Sequence, residues 1–315
     1  MNRRIQFLIV LVALSFYSAA QVSYPYPIQY IQITVEQKKV SMAYMDLASP
    51  RPNGKTILLF HGKNFNGYYW KDIIPALIEK GYRVIVPDQL GWGRSDKPDL
   101  HYSFHMLANN NKLLLDSLKV ERVAVLGHSM GGMLAIRFAL MFPAVTEKLV
   151  LENPIGLEDY KTFVPYQPLE KIFSKENAAT YESYKKYQQS YYPQWKPAYE
   201  QYVAAQAEAL SDTGFHNIAW VNAITYQMIY EQPVVYELNR IVAPTLLIIG
   251  QADRTVVGKD LLNDAKKKEH GQYPLLGKMA HQRIANSILV ELRGIGHIPH
   301  IQATAQFKQA LFKFL

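Results

Sequence analysis

A short apolar run, Val123 to Leu126, leads into Gly127-His128-Ser129-Met130-Gly131-Gly132, and an apolar segment from Met133 to Leu140 follows. This pattern predicts a strand, a tight turn and a helix, with a serine at the apex. Gly-x-Ser-x-Gly in that setting constrains the chain strongly. The serine backbone is forced into a strained conformation, and strand and helix approach closely, so the flanking positions must be small. Such a turn lifts the serine hydroxyl out of the sheet and aims the Met130 N–H at whatever sits on it. The plainer reading is a strand–helix turn whose serine only caps the helix.

The chain has 315 residues, 49% of them hydrophobic, enough for a sizeable core in one large domain or one domain with an insertion. Cysteine is absent, which excludes disulfides and any thiol nucleophile or thiolate metal ligand. The first twenty residues read as an export signal: Arg3 and Arg4, an apolar run from Ile5 to Phe16, and the small residues Ser18-Ala19-Ala20 before Gln21. The apolar run is short for a membrane span. The expectation is a periplasmic or secreted protein with no stable span after processing. Net charge is +8, or +6 without Arg3 and Arg4, and the positive charges are scattered apart from Lys266-Lys267-Lys268. No basic stripe interleaved with aromatics points to nucleic acid. Nothing in the sequence specifies an oligomeric state.

In chain order, Ile28 to Glu36 and Val40 to Met45 alternate apolar and polar residues, which predicts a hairpin turning at Gln37-Lys38-Lys39. Buried-strand runs then alternate with helical segments: Thr56–Phe60, Trp70–Lys80, Tyr82–Val86, His105–Leu118, Arg122–Leu126 and Lys148–Leu151. The alternation predicts an α/β fold, a mostly parallel eight-stranded sheet flanked by helices. From about Ile155 to Asn239 the segment is polar, helical and tyrosine-rich, with Trp195 and Trp220, and predicts an inserted helical cap. Strands resume at Pro244–Ile249 and Ser287–Leu292, and Gln302 to Leu315 closes the chain as an amphipathic helix. The expected division is a signal at 1–20, a core at 21–154 and 240–315, and a cap at 155–239.

Ser129, Asp253 and His297 fall at strand ends in that order. A serine hydroxyl needs a base within reach, and the base needs an acid to fix its tautomer. Together with the serine turn, this order resembles the α/β-hydrolase superfamily over most of the chain. The resemblance implies a nucleophile at Ser129, an acid at Asp253, a base at His297, and an oxyanion hole from the N–H groups of Lys63, after His61-Gly62, and Met130. Asn64 is the alternative donor, Glu152 the alternative acid and His300 the alternative base. Asp88-Gln89-Leu90-Gly91-Trp92-Gly93-Arg94-Ser95 resembles the superfamily's structural loop at the site entrance. His61 is expected to hold the oxyanion loop, and His128 to be structural. The sequence departs from the family in having Val257 four residues after Asp253 and a longer span from there to His297.

No cofactor or metal is implied. Gly91-x-Gly93 lacks the third glycine of a dinucleotide motif, which falls on Asp96. His101 and His105 lack an accompanying glutamate, and Ser103 is placed to start a helix between them. A serine elbow argues against the aspartate-dependent dehalogenases and epoxide hydrolases of this fold, and His61-Gly62-Lys63-Asn64 does not match the iminopeptidase loop. The resemblance implies a small-molecule acyl substrate, with carboxylic ester hydrolysis leading. C–C bond hydrolysis, perhydrolysis and ligand binding without turnover are the alternatives.

Overall fold

The computed structural model describes residues 22–315. The expected export segment lies outside the described residues. Eight strands form one sheet: β1 (Gln29–Val35), β2 (Lys38–Leu47), β3 (Thr56–Phe60), β4 (Arg83–Pro87), β5 (Val123–His128), β6 (Thr146–Glu152), β7 (Thr245–Gly250) and β8 (Ser287–Leu292). Their spatial order is β1-β2-β4-β3-β5-β6-β7-β8. β2 pairs antiparallel with β1 and β4, and the remaining strands run parallel. This is the expected fold class.

The central strands are continuous apolar runs because both faces are covered. Leu58, Phe60, Val125, Leu149 and Leu247 point into one core. Their neighbours Ile57, Leu59, Leu126, Val150 and Leu246 point into the other. Helices α1 (Ile74–Glu79), α2 (Phe104–Ser117) and α3 (Met130–Met141) lie among the first six strands. Leu107, Leu114, Leu134 and Phe138 from α2 and α3 seal the first core, and Leu77 from α1 helps seal the second. Each such side chain contributes about 1.5–3 kcal/mol through the area it removes from water.

Between β6 and β7 the chain forms helices and no strand. These are α4 (Leu169–Asn177), α5 (Tyr181–Gln189), α6 (Glu200–Ala207) and α7 (Phe215–Glu231), with short 3-10 turns between them. α4 packs on α7 and α5 on α6. Thr180 starts α5 with a reciprocal capping box through Ser183. Much of the tyrosine content is packing: Tyr192 stacks on Tyr199 with ring centroids 4.0 Å apart, and Trp195 meets both edge-on. α8 (Asp264–Glu269) and α9 (Tyr273–Arg283) precede β8, and α10 (Pro299–Gln302) and α11 (Thr304–Phe314) end the chain.

Three local expectations shift. The hairpin turn falls on Glu36 and Gln37, both with positive φ (47° and 64°), so β2 begins at Lys38. A two-residue turn of that kind matches the strand twist without the usual Asn-Gly signal. The helix expected from Trp70 forms only from Ile74, after a separate 3-10 turn over Gly67–Trp70 that Asn66 caps. Pro75 sits in the first turn of α1, where its missing N–H leaves no bond unmade. The closing helix is broken at Ala303, whose φ of −136° is not helical.

Among the described residues, no helix is long and apolar enough to cross a membrane.

Candidate active site

Ser129 stands between β5 and α3 with φ 56° and ψ −120°, a positive φ rare outside glycine. Holding a non-glycine residue there costs about 1–3 kcal/mol, which the surrounding fold must supply. Its N–H donates to the Glu152 carbonyl (3.1 Å), and its carbonyl accepts from Gly132 (2.9 Å) and Ile155 (3.2 Å). The close approach is visible at Gly127, where a Cβ would lie 2.0 Å from the Gly131 carbonyl oxygen.

The Ser129 hydroxyl lies 2.9 Å from His297 Nε2, and His297 Nδ1 lies 2.7 Å from Asp253 Oδ2. Asp253 follows β7, and His297 follows β8. All three are buried, with Ser129 the most exposed at 7%. Asp253 Oδ2 also accepts from Asn153 Nδ2 (2.6 Å), and Oδ1 accepts from the Thr255 N–H (2.8 Å). Burial works against the charged carboxylate. The opposing charge and hydrogen bond of His297, with the Thr255 and Asn153 donors, outweigh burial and hold the Asp253 pKa below its ordinary value.

His128 points away from the serine. Its Nε2–H donates to the His297 carbonyl (2.8 Å), which leaves Nδ1 to accept from Tyr69 Oη (3.2 Å). Tyr69 Oη in turn accepts from the Gly62 N–H (2.9 Å). Burial pushes the His128 pKa down to about 3, so the ring is neutral. A neutral imidazole therefore ties the loop after β3 to the backbone of His297.

His61 holds the same loop: Nε2 accepts from the Gln89 N–H (3.0 Å), so Nδ1–H donates to the Gly62 carbonyl (2.9 Å). Burial lowers its pKa as well. Asp88 takes the N–H groups of Gly67 and Arg94, both at 2.7 Å, and the hydroxyl of Tyr24 at 2.6 Å. That confines the 88–95 loop to the structural part expected of it.

Met130 opens α3, so its N–H is free of intrahelical partners and sits beside Ser129. Lys63 and Asn64 line the same cavity as Ser129. Lys63 also pairs with Glu176 at 3.7 Å, and the Asn64 side-chain Nδ2 donates to Tyr191 Oη at 2.8 Å. Glu152 and His300 contact each other rather than Asp253 or His297. Ser103 caps α2 through the Met106 N–H, and the His101 N–H faces Glu36. Among the described residues, no group of three His, Cys, Asp or Glu side chains is placed to hold a metal.

A cavity of about 540 Å³ opens onto Ser129 between the sheet and the insertion. Its wall is largely apolar and aromatic, with Ile155, Ile172, Tyr187, Tyr191, Tyr226 and Leu261 among its residues. Ion pairs Lys63–Glu176 and Lys175–Asp260 (2.6 Å) stand on the wall. A second space of about 330 Å³ lies beyond Lys63 and Asn64, against Trp92, Arg94, Lys97 and Asp212. Trp195 and Trp220 line neither space. Trp220 instead donates to Asp99 and meets Phe173 edge-on. Asn153 escaped the sequence reading because its contribution depends on Asp253, a hundred residues away; its place directly after the Glu152 strand end was the available signal.

The α/β-hydrolase-fold family model matches residues 55–303. The chain belongs to the α/β-hydrolase family. The chain is 44% identical to a probable hydrolytic enzyme of Pseudomonas aeruginosa PAO1, with a TM-score of 0.92 over 95% of this chain and 99% of that one. It is 28% identical, over 84% of its length and 95% of the relative's, to a 2-hydroxy-6-oxononadienedioate/2-hydroxy-6-oxononatrienedioate hydrolase of Paraburkholderia phymatum. An esterase of Exiguobacterium antarcticum shares the fold, with a TM-score of 0.71 at 19% identity over 91% of this chain and 99% of that one. The chain spans 30% of the length of the first mycobacterial relatives it matches.

Proposed function

We propose that this α/β-hydrolase cleaves a small carboxylic ester or related acyl compound through an acyl-enzyme on Ser129. The observation that carries the reading is the continuous contact from Ser129 Oγ to His297 Nε2 (2.9 Å) and from His297 Nδ1 to Asp253 (2.7 Å). His297 takes the Ser129 proton as Oγ attacks the carbonyl carbon. Asp253 stabilises the imidazolium that forms. The oxyanion is held by the N–H groups of Met130 and Lys63, each such donor lowering the barrier by about 3 kcal/mol. The tetrahedral intermediate expels the alcohol with the proton from His297. Water then attacks the acyl-enzyme, with the same histidine as base.

The helical insertion over 155–239 acts as a cap that selects substrate, and the aromatic cavity favours an uncharged acyl group. Residues 1–20 are a cleaved export signal, so N-terminal sequencing of the exported protein should begin at or near Gln21. The mature enzyme should hydrolyse a p-nitrophenyl ester, and a fluorophosphonate probe should label Ser129. Ser129→Ala should lose both without unfolding. Failure of the folded wild-type protein to label would leave a ligand-binding role.

A second reading is C–C bond hydrolysis by the same triad. The full-length similarity to a dienedioate hydrolase favours it, as does Lys171 on the cavity wall, which adds positive charge beside the paired Lys63–Glu176 and Lys175–Asp260. A panel of esters, thioesters, lactones and a vinylogous 1,5-diketone acid separates the two: turnover of the diketone above the esters would replace the ester reading.

A further inference from the structure

The insertion reaches the proposed base at Tyr191. Tyr191 lies just beyond the C-terminus of α5. Its carbonyl accepts the main-chain N–H of His297 at 2.8 Å. Its ring stacks on the His297 imidazole, with centroids 4.8 Å apart and planes 30° from parallel. Its hydroxyl accepts from Asn64, on the loop that carries Lys63, at 2.8 Å. Its ring also packs near Phe65 on that loop. The side chain borders the cavity that opens onto Ser129.

The turn that carries His297 is shaped to receive this contact. A Cβ at Gly296 would lie 2.1 Å from the Tyr191 carbonyl oxygen and 2.8 Å from Pro193. Glycine at 296 is therefore required by the insertion's approach, beyond any demand of the turn itself. From the opposite side, His128 grips the carbonyl of His297 (2.8 Å). The base is thus held at its N–H by the insertion and at its C=O by the residue preceding the nucleophile.

We propose that Tyr191 is a positioning residue for His297: its carbonyl and ring fix the imidazole in line between Ser129 and Asp253, so that insertion and core act as one unit in the chemical step. The inference rests on the serine-hydrolase reading. It differs from a lid that only admits substrate, because a residue acting through the base changes the rate of the chemical step with little effect on binding.

Tyr191→Leu removes the ring, and Tyr191→Phe keeps it and loses only the hydroxyl. The leucine variant is expected to lower kcat for a p-nitrophenyl ester about 30-fold or more, the order that a displaced catalytic group produces. Its KM should move less than about threefold. Fluorophosphonate labelling of Ser129 should slow in parallel. The low-field proton resonance of the His297–Asp253 hydrogen bond should broaden or vanish, although neither partner is changed. Tyr191→Phe should keep that resonance and recover kcat to within about threefold of wild type. If the leucine protein does not fold, Tyr191→Met takes its place, since methionine fills irregular gaps. A leucine or methionine variant that labels at the wild-type rate, keeps the resonance and raises only KM would overturn the proposal. So would a phenylalanine variant as slow as the leucine one. Labelling of the wild-type protein separates the two failures: if wild type does not label, the serine mechanism falls, and if wild type and Tyr191→Leu label alike, only the positioning inference does.

Discussion

The Glu152 carboxylate takes both the main-chain N–H of His300, at 2.6 Å, and its Nδ1–H, at 2.9 Å. These are the alternative acid and base that the sequence offers, and they bond to each other, while His300 Nε2 is buried with no hydrogen-bond partner among the described residues. The pair is fully buried, with Trp70 stacked on the imidazole at 4.3 Å and Tyr69 against its edge at 4.7 Å. Burial raises the Glu152 pKa to about 7 and lowers that of His300 to about 3. A direct test follows from the contact between Asp253 and His297. Asp253→Asn should lower kcat by about 10⁴ by stabilising the wrong imidazole tautomer. Glu152→Gln should stay within about tenfold of wild type, no more than about 1.4 kcal/mol of barrier. Steady-state turnover of one p-nitrophenyl ester decides it, and the reverse ranking would move the acid to Glu152.

Asn153 gives a second test. Its side chain bridges two strand ends: Nδ2 donates to Asp253 Oδ2 at 2.6 Å, and Oδ1 accepts the Gly250 N–H at 2.9 Å. It also holds φ at 37°, a conformation asparagine and aspartate tolerate better than most residues. Asn153→Asp keeps the shape and the backbone but sets a second carboxylate beside the first. Two carboxylates so close cannot both ionise readily, so the pair holds a proton to higher pH. The acid limb of the kcat/KM profile should move upward, with a larger loss at pH 6 than at pH 8. A profile that falls uniformly, with no movement of the limb, would count against Asn153 acting through Asp253.

The sheet, the helical stretch between β6 and β7, and the positions of Ser129, Asp253 and His297 at strand ends each leave a local signature in the sequence. Buried parallel strands read as apolar runs, the elbow reads as glycines around a serine, and the base sits in a glycine turn. The partners that hold those residues carry no such mark. Tyr69, Asn153 and Tyr191 reach partners 59, 100 and 127 positions away, and apart from the place of Asn153 directly after a strand end, nothing in their neighbourhoods distinguishes them from ordinary polar or packing residues. Between His297 and His300, three residues apart, the glycine turn before His297 is the only local mark. Both end up buried, and their contacts separate them: His297 meets Ser129 and Asp253, and His300 meets Glu152. Local misreadings such as the late start of α1 arose where a periodic apolar pattern continued through a 3-10 turn.

Stability should fall in acid, and the buried histidines give the sign. Burial lowers the pKa of His128 and of His300 to about 3, against an unfolded value of 6.5. The unfolded chain therefore binds more protons between those limits, and unfolding becomes easier as pH drops. Their contribution is complete above 6.5 and is lost progressively towards 3. Asp253, lowered in the same sense, adds to the loss at the acid end. Glu152 has the opposite sign. Raised to about 7 from 4.5, its contribution is present below 4.5 and fades as pH rises through 7. Thermal melts should show Tm rising from pH 4.5 to 6.5. Glu152→Gln should steepen that rise by removing the one opposing group among these four. A Tm independent of pH across this range would mean that His128 and His300 are not buried as neutral imidazoles.

The close approach of β5 and α3 sets the last expectation. A methyl group at position 127 would meet the Gly131 carbonyl oxygen at 2.0 Å, the Gly131 carbonyl carbon at 2.5 Å and the Gly132 nitrogen at 2.8 Å. All three are backbone atoms of the first turn of α3, so no side chain can rotate away. Gly127→Ala must either push the helix from the strand or distort the strained Ser129 backbone between them. Overpacking of this kind costs about 1–3 kcal/mol where neighbours can shift, and backbone contacts put this site at the upper end or beyond. Urea unfolding should show a lower midpoint with an unchanged slope. Labelling of Ser129 should fall even under conditions where the variant is fully folded, because the displaced helix carries the Met130 N–H with it. Retention of both midpoint and labelling rate would mean that the strand and the helix tolerate a wider separation than the Ser129 turn implies.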